Sequence, residues 1–285
     1  MEESDVVNYP PFLYFKLVSN FLPDPEKSAE IIEYYESRRQ GTKTLKSLKP
    51  VVENEFVTEV KLPNGGSAVI LAVDDTYREL EGLIFETIQS YQPENIFLPL
   101  CEERKASLFI TEKEDRDILE SRIRKIQELQ IKQKLEGTDE KILLQKKVDD
   151  DRLQNRLYPN REIRAVFQAA RNLNGCVLHF SEPKVSEVYS RMGKVSPQEL
   201  EKFDVYTRSR ILDLDSWKKT KSPQFRDFLA KKRLEAFPNI NDVYYAKRAD
   251  YITKKVLEVL SHRSLILVDI ELYDEICAKL KGQFQ

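Results

Sequence analysis

Hydrophobic and polar positions change period several times along this chain, and each change predicts an element. Behind Pro10-Pro11, residues 12–18 form an apolar aromatic run that fits a buried strand or a short helix. Asp24-Pro25 then supplies an N-cap followed by proline at the first helical position, where the missing N–H costs nothing. This predicts a helix from Pro25 to Arg39 with Ala29, Ile32 and Tyr35 inward. The period falls to two at Glu55–Leu62, where Phe56, Thr58, Val60 and Leu62 alternate with Glu55, Val57, Glu59 and Lys61, leaving one face wet. The turn Pro63-Asn64-Gly65-Gly66 contains residues that accept positive φ, and Ser67–Val73 follows as a strand apolar on both faces, the more central partner of a β-hairpin. A helix from Tyr77 to Tyr91, capped by Asp75-Thr76, carries Leu80, Leu83, Ile84 and Ile88 as an inward stripe. Ile96–Leu100 and Ser107–Ile110 read as short strands.

From Thr111 to Leu157 the apolar positions thin out: 24 of 47 residues are charged, acids and bases equally. Thr111 and Glu114 form a capping box, Gly137-Thr138-Asp139 a turn, and Pro159 a stop, so the stretch predicts a charged helical hairpin. Leu119, Ile123 and Ile126 make a short seam on its first helix, too brief for a long coiled coil. Beyond it the pattern is mostly helical: Arg161–Leu173, Lys184–Met192, a helix opened by Ser196-Pro197, another opened by Ser222-Pro223, and Asp242–His262. Cys176–Phe180 and Ser264–Ile270 are strands between them, and Tyr273–Leu280 closes the chain. The expected fold class is α+β and helix-rich: an N-terminal α/β module with a β-hairpin over residues 1–110, the charged helical hairpin or linker over 111–157, and a mainly helical module over 158–285.

Composition narrows the function classes. With 285 residues and 41% hydrophobic content the chain can bury a core, while 46 Lys and Arg against 48 Asp and Glu leave a net charge of −2. No global field therefore selects nucleic acid or anionic lipid. Cys101, Cys176 and Cys277 lie far apart without a C-x-x-C pair, which points to a reducing compartment rather than a disulfide framework or zinc site. Acids stand where a secretory signal would be basic, and no run of about 18 apolar residues occurs. The expectation is an intracellular protein, cytoplasmic or nuclear, without a membrane span and without a cofactor.

Candidate chemistry is sparse. Only His179 and His262 are available to move a proton for a nucleophile, and both read as structural imidazoles. G-x-S-x-G, H-E-x-x-H, G-x-x-x-x-G-K-[ST] and G-x-G-x-x-G are all missing. Metal-dependent phosphodiester cleavage needs only a few clustered carboxylates and sometimes a lysine. Glu59 with Lys61 beside Asp74 and Asp75, Asp269 with Glu271, and Asp213 with Asp215 supply that pattern, and Glu59, Lys61, Asp269 and Glu271 are the catalytic candidates; with 48 acids present, such pairs also arise by chance. Arg161, Arg164 and Arg171 share one side of a helix with Phe167 and form the candidate nucleic-acid patch. Lys218, Lys219, Lys221, Lys231, Lys232 and Arg233 add basic clusters diluted by Asp213, Asp215 and Asp227. No metal-ligand set stands out. The leading expectation is a non-enzymatic protein-interaction subunit, an adaptor, assembly or regulatory factor. It would dock another protein or a second copy of itself through the hairpin seam Leu119, Ile123 and Ile126, and through the aromatics Tyr9, Phe12, Tyr14 and Phe15. The alternative is a nucleic-acid-binding protein, including a metal-dependent nuclease.

Overall fold

The computed structural model describes residues 55–63, 65–74, 80–104, 111–132, 140–155, 161–170, 173, 176–212 and 222–284. The elements expected at residues 12–18, 25–39 and 107–110 lie outside these, as do Tyr9, Asp75, Arg171, Asp213, Asp215, Lys218, Lys219 and Lys221.

The alternating run and the apolar run form the expected hairpin, β1 (Val57–Lys61) antiparallel to β2 (Ser67–Val73), with Val57 opposite Leu71 and Lys61 opposite Ser67. Gly65 sits in the turn at φ +80°, and a Cβ on Gly66 would lie 2.5 Å from the His262 carbonyl oxygen, so the second glycine lets the turn close against the start of another strand. That strand is β5 (Arg263–Asp269), parallel to β2. β5 also pairs in parallel with β3 (Asn95–Leu98), which pairs in parallel with the edge strand β4 (Val177–Phe180). The result is a mixed five-stranded sheet in the order β1-β2-β5-β3-β4. β2 and β5 are nearly uniformly apolar because both of their faces are covered.

Helices cover the two faces according to crossover handedness. β2 runs through α1 (Leu80–Tyr91) to β3, and β3 returns through α4 (Arg161–Ala170) to β4, both crossovers moving in one direction across the sheet. Right-handed crossovers put α1 and α4 on the same face, where they pack together and Gln89 Nε2 donates to the Ala169 carbonyl at 2.8 Å. The path from β4 back to β5 reverses direction, so α9 (Lys247–Val259) lies on the other face beside α10 (Ile270–Phe284).

The charged stretch folds as α2 (Glu112–Lys132) and α3 (Glu140–Asn155). The capping box forms as expected: Glu114 N–H donates to Thr111 Oγ1 at 3.2 Å, and Thr111 N–H donates to Glu114 Oε2 at 2.7 Å. Among the described residues the further α-helices are α5 (Val185–Met192), α6 (Pro197–Leu212), α7 (Pro223–Ala236) and α8 (Pro238–Ile240), with α3 packed on α6. Helix-rich α+β character holds, but the expected boundary between residues 1–110 and 158–285 does not run through the sheet. β5, from the far end of the chain, is its central strand, and β4 joins it from beyond residue 158. Local pattern shows that 264–270 is an apolar strand; which strands it separates is set by long-range pairing.

Candidate functional site

The four parallel strands direct their carboxyl ends to one edge. Between β5 and β3 the chain leaves that edge toward opposite faces, into α10 on one side and toward α4 on the other, which is where open parallel sheets form a crevice. Asp269 ends β5, Ser181 and Glu182 follow β4, and Cys101 to Arg104 follow β3. A six-residue π-helical segment, Asn241–Ala246, sits between α8 and α9, with Lys247 N–H reaching back five residues to the Asp242 carbonyl. Such wide turns are rare and recur at functional positions. This one delivers two consecutive tyrosines: Tyr245 donates to Glu271 Oε2 at 2.7 Å, while Tyr244 OH accepts from Arg248 Nη1 at 3.4 Å.

Arg248 is the hub. Its Nε and Nη2 donate to the two oxygens of Glu182 at 2.6 and 2.8 Å, and Nη1 donates to Asp269 Oδ2 at 3.4 Å. Burial acts to lower the guanidinium pKa, yet Glu182, Tyr244 and Asp269 together hold it well above its ordinary value. Arg104 responds in the opposite direction: burial brings it down to about 10, only partly countered by Cys101, Glu182 and Glu162. The Tyr244 phenol is raised, first by burial and then by Asp269 and Glu182. Arg248, Glu182, Tyr244 and Asp269 thus form a hydrogen-bonded, charge-paired cluster at this edge.

The four catalytic candidates are not brought together. Asp269 and Glu271 do lie at the carboxyl edge, where Asp269 Oδ1 caps α10 by accepting the Glu271 N–H at 3.0 Å and Glu271 accepts from Tyr245. Glu59 and Lys61 bond each other at 2.7 Å on β1. Burial raises the Glu59 pKa, but hydrogen bonds from Lys61 and Ser67 more than offset it and leave the carboxyl lowered. Glu59 stands opposite Val69, so Asp74, beyond the end of β2, is displaced by roughly 17 Å along the strand at about 3.4 Å per residue.

The arginine stripe is also redirected. Ile163, Val166 and Ala169 fix the rotation of α4 by facing the core. Arg161 is thereby buried and donates to Glu81 of α1 at 2.6 Å, while Arg164 forms an ion pair with buried Asp115 of α2. Both fasten helices together instead of forming an outward stripe. Lys231 pairs with Asp227 and Lys232 with Glu235, whereas Arg233 is buried. The hairpin seam has an internal use as well. Leu119, Ile123 and Ile126 are buried, as are Ile142 and Val148 of α3, and Arg122 makes a buried bidentate pair with Asp149 across the hairpin. The three seam residues proposed to meet a partner are therefore covered within the folded chain.

The sequence places α7 from its Ser222-Pro223 start but does not show which face it buries. Its cap is legible, since Ser222 Oγ accepts the Phe225 N–H at 3.4 Å and Pro223 occupies the first turn. Its orientation is not. The residues it buries are Arg226 and Arg233, two turns apart. Arg226 clamps Asp274 through Nε and Nη2 at 2.7 and 2.9 Å, and Arg233 lies 3.5 Å over the centre of the Tyr245 ring. Phe228 and Leu234 are left 50% and 52% exposed, with Phe225 stacked on Phe228 at 6.2 Å. The spacing Phe225, Phe228, Leu229 reads as a core stripe, so the one available signal was the seven-residue interval between arginines. Comparison of the chain with protein-family models, with curated proteins and with solved structures finds no match.

Proposed function

We propose that this protein is a non-enzymatic protein-interaction subunit, an adaptor, assembly or regulatory factor, that docks a partner protein over the outward face of α7. The observation that carries the reading is the reversal of that helix, with arginines toward the body and Phe228 and Leu234 toward solvent. Single exposed apolar residues are ordinary. A helix that anchors itself by charge and ring contacts while presenting its apolar residues is better explained by a second surface that covers them. Covering the exposed half of each side chain would contribute about 0.8–1.5 kcal/mol.

Two further features support this reading. The carboxylates at the strand ends are engaged by Arg248 and Tyr245, which suits a structural role for that edge. Arg161 and Arg164 are committed to Glu81 and Asp115, which weighs against phosphate binding. Among the described residues no helix is long and apolar enough to cross a membrane. Cys101, Cys176 and Cys277 are buried thiols, consistent with work in a reducing, intracellular compartment.

A photo-crosslinking residue placed at Phe228, with Lys255 on α9 as control, tests the proposal in the native host. A discrete protein adduct from position 228 that is missing from position 255 is expected. A folded protein, checked by circular dichroism, that gives no adduct at 228 overturns it.

A further inference from the structure

We draw no further inference here: the strongest candidate, the open groove between α9 and α10 lined by Asp250, Thr253, Leu257 and Lys279, carries nothing because Lys279 already pairs with Asp250 across it and nothing in the structure shows what covers it.

Discussion

Arg248 neutralises Glu182 and Asp269 at once, so its removal strands two carboxylates at a largely buried edge. Breaking such a pair by deleting one partner typically costs about 3–5 kcal/mol. Arg248→Ala is expected near the lower end of that range, since Asp269 keeps contact with water, and Arg248→Ala with Glu182→Gln is expected to cost less than the single change. Urea midpoints of the two variants check this; a single variant no less stable than the double one would refute the charge account. Cys277 gives a second residue-scale expectation. Burial pushes its thiol from 9.0 up to about 12. The unfolded chain then loses this proton first, and stability falls as pH rises between those values, by at most about 1.4 kcal/mol per pH unit. Urea midpoints at pH 8 and pH 10.5, compared with Cys277→Ala, measure that share. Residues such as Arg248 were invisible as a hub beforehand because its partners lie 66 and 21 positions away. That Asp269 is an acid at a strand end is legible in the sequence, but its capping and pairing depend on elements that meet only in the fold.

At the scale of elements, starts and turns were readable because they are local chemistry: the Thr111–Glu114 box, the Ser222-Pro223 opening and the Gly65-Gly66 turn all form. Rotation of a helix about its axis was less readable. α4 follows its apolar face, so its arginines turn sideways, while α7 obeys its arginines against its aromatics. The α2–α3 hairpin allows a direct test. Asp149→Ala leaves Arg122 buried without its bidentate partner and is expected to destabilise by about 3–5 kcal/mol, whereas Arg122→Met with Asp149→Leu restores most of the loss. Equal destabilisation by both would show that the pair acts through packing alone. For α7, Phe228→Asp with Leu234→Asp is expected to cost no more than about 2–3 kcal/mol, since both side chains are half-exposed, and to leave a folded protein while abolishing any adduct captured nearby, at Phe225. Large loss of stability would mean that these residues support the fold itself.

For the whole molecule, the hairpin and most helices could be placed from sequence, but the sharing of one sheet by strands from both expected modules could not. The seven residues of β5 look like any buried strand, and nothing local states that they separate β2 from β3. A chain ending at residue 157 is accordingly expected to lack a cooperative urea transition despite containing β1, β2 and β3. A sharp two-state transition in that fragment would restore an independent N-terminal module.

The central position of β5 also bears on how the protein comes into being. About 190 residues separate the end of β2 from the start of its parallel partner. At synthesis rates of about 5–20 residues per second, the ribosome takes roughly 10–40 s to cover that interval. During it β2 and β3 are already made, each apolar and each lacking the strand that belongs between them. The nascent chain thus exposes apolar strand segments that cannot yet be paired for most of its synthesis, and its yield in the cell should depend on holding chaperones more than the stability of the finished fold would suggest, which soluble yield with and without chaperone co-expression measures.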